Sequence, residues 1–295
     1  MVFRQGQKRY LDDSLDRVQA ANRTWWETTP MTYDWSGSAG VPPNTLEWFE
    51  DQDRRSAAAH RHFATDVVPF DRLIPYNSLR GKEVLEIGIG SGFHSELLAR
   101  AGAKVTGIDL TDAAVERTRR RFELKGLSGD FQTWDAEQNR ADFVQRFSFI
   151  WSWGVVHHSS MTARIVRNVA HWLRDDGTFA GMVYHRDSTS VAVAIVRQWL
   201  LRGKLLTYSL DEACWRNTDG FSARFYPVEQ WRDLLLGFFQ ESSVTVTGLE
   251  SDLPVPRSLR KLVVTHLSYV RKQQVLSRFG GFIVFSASAP LRPSD

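Results

Sequence analysis

The feature that most constrains this chain is a change of pattern at Gly81, where short apolar runs begin to alternate with amphipathic stretches. The runs EVLEIGI, FSFIWSW and TFAGMVY are typical of buried strands, and the amphipathic stretches between such runs predict helices. Strands that alternate with helices form a mostly parallel sheet covered on both faces. The pattern therefore predicts an α/β fold with a doubly wound sheet.

The same pattern divides the chain into four segments. We predict a helical N-terminal cap over residues 1–80, a core over 81–184, an inserted helical lid over 185–240 that caps the substrate, and closing strands of the core sheet over 241–295. Strands are predicted at residues 83–89, 104–109, 131–134, 147–152, 177–184, 243–247 and 281–286. Helices are predicted at residues 94–100, 112–124, 162–173, 190–201, 228–236 and 257–275.

The first core strand runs into a glycine cluster, Gly88, Gly90 and Gly92. Glycines at this point allow a tight turn and a close approach of the backbone to a ligand. A dinucleotide site would have G-x-G-x-x-G, but its third glycine is replaced here by Phe93. The G-K-[ST] ending of a phosphate-binding loop is also absent. The cluster therefore favours a ligand without a pyrophosphate.

Two carboxylates accompany the cluster. Glu86 lies one turn before the glycines, where it would repel a phosphate and attract a cation. Asp109 ends the second strand, where its oxygens can accept hydrogen bonds from ribose hydroxyls. S-adenosylmethionine (SAM) carries a sulfonium and an α-ammonium and no phosphate, so it fits both carboxylates.

The run Glu86-Ile-Gly88-Ile-Gly90-Ser-Gly92 and the later GAKVTGIDL resemble motifs I and II of the class I SAM-dependent methyltransferases. WDAEQ, FSFIWSWGVVHH and LRDDGTFAGMVY follow in the order and spacing of that family's small-molecule branch. The resemblance covers residues 81–184 well and the final strands loosely, and it implies a seven-stranded Rossmann-like methyltransferase sheet with SAM as cofactor. The cofactor-binding residues that it implies are Glu86, Gly88, Gly90, Gly92, Asp109, Leu110, Asp135, Ala136 and Trp153.

Candidate catalytic groups are histidines. Methyl transfer requires an acceptor lone pair held in line with the methyl group, and an oxygen acceptor must also lose a proton. Histidine is the usual base near neutral pH. The resemblance implies that a histidine after the fourth strand faces the acceptor, so we rank His158 first, His157 second, and His185, after the fifth strand, third. The alternative is that these side chains bond only to backbone or solvent.

Composition argues against several other classes. The net charge of +3 is small for 295 residues and the basic residues are spread along the chain, so a nucleic-acid partner is not expected. The run RTRRRF at 117–122 is predicted to be a solvated helix face. A single cysteine, Cys214, excludes an internal disulfide framework and a cysteine metal cluster, and no metal site is predicted.

No membrane insertion is expected either. The N-terminus lacks the apolar region of a signal peptide, and the most apolar stretch, 191–201, is too short to span a bilayer and contains Arg197. These features predict a cytoplasmic protein, and we expect a monomer or a homodimer.

The combined prediction is a SAM-dependent methyltransferase that acts on a small organic acceptor, at oxygen, with a histidine base. Three alternatives remain open at this point. They are an RNA-modifying methyltransferase, which a pI near 9.1 permits, a non-catalytic SAM-binding scaffold, and an NAD-dependent oxidoreductase. Residues 1–80 and 185–240, which would select the acceptor, contain no motif that we recognise.

Overall fold

The computed structural model describes residues 14–29, 31, 40–65, 68–204, 207–216, 218, 220–255 and 257–292. An eight-stranded sheet lies at its centre. The strands are β1 (Glu83–Ile87), β2 (Lys104–Asp109), β3 (Asp130–Thr133), β4 (Phe147–Trp153), β5 (Leu173–His185), β6 (Phe225–Tyr226), β7 (Phe239–Thr247) and β8 (Phe282–Pro290). The helices are α1 (Leu15–Thr28), α2 (Leu46–Ala59), α3 (Phe93–Arg100), α4 (Asp112–Lys125), α5 (Thr162–Trp172), α6 (Thr189–Ile195), α7 (Leu210–Trp215), α8 (Val228–Leu236), α9 (Arg257–His266) and α10 (Tyr269–Phe279).

The sheet has the order β3-β2-β1-β4-β5-β8-β7, with β6 paired to β5. The strands from β3 to β5 are parallel to their neighbours, whereas β8 runs antiparallel between β5 and β7. The predicted doubly wound, mostly parallel α/β sheet is confirmed. In such a sheet the carboxyl ends of the parallel strands share one edge, where ligands of open α/β folds bind.

Several element boundaries differ from the prediction. The predicted helix 190–201 is an α-helix as far as Ile195 and a π-helix from Val196 to Leu201. The predicted helix 257–275 is two helices, because the Ser268 side chain accepts a hydrogen bond from the Arg271 amide and begins a new one. The two-residue strand β6 was not predicted, since two residues show no alternation. The division into four segments stays a prediction.

The aromatic residues of β4 show how the strand period builds the core. Successive side chains of a strand point to opposite faces, so residues two apart share a face. Phe149, Trp151 and Trp153 therefore form a column, with ring centroids 6.3 Å and 5.5 Å apart and nearly parallel planes. Ile150 lies in the apolar cluster on the other face. The column ends at Trp153, at the carboxyl edge.

The RTRRRF run on α4 is not entirely a solvated face, because Arg121 is fully buried. Its guanidinium donates to both carboxylate oxygens of Asp53 on α2, each at 2.6 Å, and its Nε donates to Glu96 on α3, also at 2.6 Å. Lys125 adds a contact of 2.8 Å to Glu96. A buried cation is tolerated when it is paired and hydrogen-bonded in this way. Arg121 thus attaches the N-terminal helix α2 to the core.

No helix within the described ranges combines the length and the apolar character that crossing a bilayer requires.

We predict that Arg121→Met lowers the free energy of unfolding by about 3–5 kcal/mol, because it leaves the buried Glu96 and the partly buried Asp53 without their main partner. The neighbouring Arg120 provides a matched control: it is exposed and pairs with Glu123 at 2.6 Å. Arg120→Met should cost less than about 1 kcal/mol. Urea unfolding followed by circular dichroism measures both, and equal effects would contradict the structural role of Arg121.

Candidate functional site

A cavity of about 640 Å³ opens at the carboxyl edge of the sheet. Its walls come from the loops after β1 to β4, from the end of β5, and from α1 and α2. Eight of the predicted cofactor-binding residues line it: Glu86, Gly88, Gly90, Asp109, Leu110, Asp135, Ala136 and Trp153. Gly92 does not line the cavity, and is instead the N-cap residue of α3. The structure therefore brings residues from four separate strands together around one space.

The glycine loop is shaped by close contact on one side and open space on the other. Gly88 has φ 81°, and a Cβ there would lie 2.3 Å from a methyl carbon of Val155, so only glycine fits. Gly90 has φ 54°, and a Cβ there would have no described heavy atom within 4 Å, so the space beside this residue is open. The Gly90 amide donates to Asp109 at 3.2 Å, which ties the loop to the end of β2.

Glu86 is a buried carboxyl at the end of β1. Burial raises the pKa of Glu86 to about 8, although the Ser95 hydroxyl donates to its Oε2 and partly offsets this effect. A carboxyl in such a place is mostly protonated at neutral pH until a cation approaches it. The position therefore suits a cationic ligand group.

The carboxylates of the next two strands are held by hydrogen bonds. Asp109 accepts from the amide and the hydroxyl of Thr111, at 3.0 Å and 2.8 Å. Thr111 is the N-cap residue of α4, but its side chain bonds to Asp109 and makes no cap hydrogen bond. Asp135 accepts from the Glu137 amide at 2.9 Å and from Gln19 on α1 at 3.0 Å. Loss of solvation raises the pKa of Asp109 and of Asp135.

His158 lines the same cavity, after β4. Its Nδ1 lies 2.6 Å from the carbonyl oxygen of Ser222, which can only accept, so Nδ1 carries the proton. Burial lowers the pKa of His158 to about 4, so the ring is neutral at pH 7 and Nε2 keeps its lone pair. Trp26 from α1 contacts the ring edge-on, with centroids 5.2 Å apart.

The other two candidate histidines lie behind the wall. His157 is fully buried against His158 and Tyr184, with ring centroids 4.3 Å and 4.0 Å away, and neither of its ring nitrogens has a hydrogen-bond partner among the described residues. His185 places Nδ1 2.8 Å from the carbonyl oxygen of Gly280. Neither residue lines the cavity. The sequence places all three after a strand, whereas in the structure His185 is the last residue of β5. All three are buried, and of the three only His158 lines the cavity.

Two residues of α1 that the sequence analysis did not select hold the site. Asn22 donates to the carbonyl oxygen of His158 at 2.7 Å and accepts from the Ser222 hydroxyl at 3.0 Å. Gln19 accepts from the Ser160 amide at 3.2 Å, in addition to its bond to Asp135. No sequence signal links Gln19 or Asn22 to the site residues that they contact, because those residues are more than 100 positions away.

The loop after His158 is held from both sides. The Glu137 carboxylate accepts from the Ser159 and Ser160 hydroxyls at 2.7 Å and 2.8 Å. Arg224 donates to the carbonyl oxygens of the same two serines, at 2.7 Å and 2.5 Å. His158 therefore belongs to a loop with little freedom to move.

Two more histidines, His60 and His94, also line the cavity and were not predicted. Burial lowers the pKa of His60 to about 4 and that of His94 to about 3, so both rings are neutral at pH 7. They pack with Phe70 and Trp153, which makes this wall aromatic.

Residues 84–177 match a family model described as a methyltransferase domain. The chain is also 34% identical over 124 residues to the ubiquinone biosynthesis O-methyltransferase of Actinobacillus pleuropneumoniae, a match that covers 41% of this chain and 53% of that protein. It is 34% identical over 136 residues to the enzyme of the same name from Methylocella silvestris, covering 46% and 52%. The chain thus matches about half the length of these curated relatives.

A solved structure shares the fold. The Haemonchus contortus phosphoethanolamine N-methyltransferase 2, in complex with phosphomonomethylethanolamine and S-adenosylhomocysteine, superposes with a TM-score of 0.51 at 14% identity. The superposition covers 85% of this chain and 61% of that one. Residues 84–177 are therefore similar in sequence to a methyltransferase domain, and the chain shares the fold of this solved structure.

Proposed function

We propose that this protein transfers the methyl group of SAM to an oxygen atom of a small organic acceptor. The observation that carries the proposal is the convergence of Glu86, Asp109, Asp135 and His158 on one cavity. Its volume of about 640 Å³ is in the range of small-molecule sites. SAM supplies a methyl group activated by its positive sulfonium.

The residues present fit this cofactor. Among the described residues, no lysine or arginine is hydrogen-bonded to the buried Glu86, so a cationic ligand group would provide the missing charge. Asp109 and Asp135 supply acceptor oxygens for hydroxyl and amine donors on the adjoining strands. Gly90 leaves room for the ligand beside the loop.

His158 is the group that we assign to proton removal. Its Nδ1–H is held by Ser222, so Nε2 is available to take the proton from an acceptor hydroxyl as the oxygen–methyl bond forms. The electron pair of the broken carbon–sulfur bond goes to the sulfur. A neutral ring with a pKa of about 4 is a weak base but is fully available at pH 7. The ring donates to the Ser222 carbonyl oxygen, and the His158 backbone carbonyl oxygen accepts from Asn22 and from the Ser222 hydroxyl.

Two facts support a small acceptor with an oxygen nucleophile. The cavity wall contains aromatic side chains suited to an organic ring, namely Trp26, Phe93, Trp134, Trp153, Tyr184 and Phe282. The relatives from Actinobacillus pleuropneumoniae and Methylocella silvestris are named as O-methyltransferases.

Calorimetry with SAM, S-adenosylhomocysteine and NAD tests the cofactor assignment. We expect both SAM and its demethylated product to bind, and NAD to bind far more weakly. Tighter binding of NAD would overturn the proposal.

Two further measurements test the alternative functions. Product formation with a panel of phenols and aliphatic alcohols excludes a scaffold role. Steeply salt-dependent binding to bulk tRNA would favour RNA as the acceptor.

We predict that SAM affinity rises about tenfold per pH unit as the pH increases toward 8, then levels off, because the cation requires ionised Glu86. At pH 7 binding should release about one proton per molecule, measured by calorimetry in buffers of different ionisation enthalpy. Glu86→Gln should remove this pH dependence. Glu83→Gln, at the opposite end of β1, should keep it. A flat wild-type profile would contradict the role of Glu86.

We predict that His158→Gln lowers kcat by about 10²–10⁴-fold with little change in the Kd of SAM, because it removes the base and not the cofactor contacts. The assay uses whichever acceptor of the panel gives most product. His157→Phe discriminates between the two neighbours: it should retain kcat within about threefold, since the His157 nitrogens make no hydrogen bonds with described residues. Loss of activity in His157→Phe alone would move the base to His157.

A further inference from the structure

A second cavity, of about 650 Å³, lies beside the first. The two cavities share three wall residues, Ala59 at the end of α2 and Leu249 and Ser251 after β7. Helix α10 provides much of the remaining wall. A molecule in the first cavity therefore has the second cavity as its immediate neighbour.

The sheet order shows which end of the first cavity adjoins the second cavity. Asp109 and Asp135 belong to β2 and β3, on one side of β1, whereas β4, β5, β8 and β7 follow on the other side. The end of β7 is in register with the beginning of β8 and the end of β5, through Thr247, Phe282 and Tyr184. The turn after β7 therefore lies at the carboxyl edge, past His158 and away from the carboxylates assigned to the cofactor. That is the acceptor side of the proposed reaction.

The charged residues that line the second cavity are mostly cations. Arg61, Arg72 and Lys272 line it together with one carboxylate, Glu250. Arg61 and Lys272 both pair with Oε1 of Glu250, Lys272 at 3.0 Å. Burial lowers the pKa of His62 to about 4, so this lining residue adds no charge at pH 7. Among the described lining residues, positive charge exceeds negative charge by two.

Arg72 is the lining cation whose terminal nitrogens make no hydrogen bond with a described residue. Its Nε donates to the carbonyl oxygen of Ala64 at 3.0 Å, and its guanidinium lies over the Tyr269 ring, 5.7 Å from the centroid. These contacts orient the side chain, and no described residue accepts from its two terminal nitrogens. An oriented guanidinium with free terminal donors matches the geometry of a carboxylate or phosphate.

We propose that the second cavity binds an anionic group, a carboxylate or a phosphate, carried by the methyl acceptor. This proposal rests on the proposed function, in which the first cavity binds a methyl acceptor. Arg72 donates to the anion, while Arg61 and Lys272, held by Glu250, add the surrounding positive potential. The acceptor would then be a small molecule with an apolar part at the methyl-transfer cavity and an anionic part in the second one.

Titration of the full chain, saturated with S-adenosylhomocysteine, with inorganic phosphate at constant ionic strength tests this proposal. Binding is followed by NMR of the Arg72 Nε–H and of the Tyr269 ring. Arg72→Gln should weaken phosphate binding about tenfold, because it removes a charge-assisted hydrogen bond. Glu250→Gln should strengthen binding, since it removes the one carboxylate among the described lining residues. Lys272→Gln provides a second weakening variant if Arg72→Gln fails to fold.

The matched control is Arg271→Gln, which removes an exposed cation next to Lys272 on α10 that does not line the cavity. It should leave phosphate binding unchanged. A loss equal to that of Arg72→Gln would mean general surface attraction, and displacement of phosphate by S-adenosylhomocysteine would mean that the two sites cannot be filled together. Either result overturns the proposal, as does the absence of any phosphate binding.

A parallel titration with acetate shows whether a carboxylate or a phosphate is preferred. If S-adenosylhomocysteine itself does not bind, the proposed function fails, and the phosphate titration of the free protein still reports on the second cavity. The two failures are therefore distinguishable.

Discussion

The shared carboxyl edge of the parallel strands is the constraint on which this structure depends. Backbone hydrogen bonds within the sheet hold each strand to its neighbours, so the residues at the carboxyl ends of the strands and in the loops that follow them lie close together, where a ligand can bind. Here those residues are Glu86 and Asp109, near the carboxyl ends of β1 and β2, and Asp135 and His158, in the loops after β3 and β4. The four strands lie side by side in the order β3-β2-β1-β4. One cavity receives all four because the strands are parallel, and an antiparallel neighbour would have sent its end to the opposite edge.

The N-terminal helices are joined to this edge by buried polar contacts rather than by apolar packing alone. Arg121 holds α2 through Asp53, and Asn22 on α1 bonds to the backbone of His158. Buried groups of this kind are costly if left without partners, so each contact favours one position of the helix over others. The same contacts that position the cap therefore also position the histidine assigned to catalysis, with Ser222 completing the link to residues 185–240.

Most of the core could be predicted from the sequence because its signals are local. Strand β2 has the predicted bounds, and the glycine loop and its carboxylates lie where the motif places them. Long-range pairs have no local signal: Gln19 meets Asp135 across 116 positions, and Arg121 meets Asp53 across 68. For the same reason the sequence predicts a solvated face for RTRRRF, because nothing in this run shows which arginine faces an acidic partner.

The sequence by itself determined the order of strands and helices and the chemical groups at the strand ends. The repeat of apolar residues and the positions of glycine and acidic residues are properties of adjacent positions, so folding does not change them. Only the tertiary structure shows which of the three candidate histidines lines the cavity. All three lie at or after the end of a buried strand, but of the three only His158 lines the cavity, whereas His157 packs beneath it and His185 lies against the Gly280 carbonyl oxygen. Exposure to a shared space depends on all the elements that enclose it, and no single stretch of sequence contains that information.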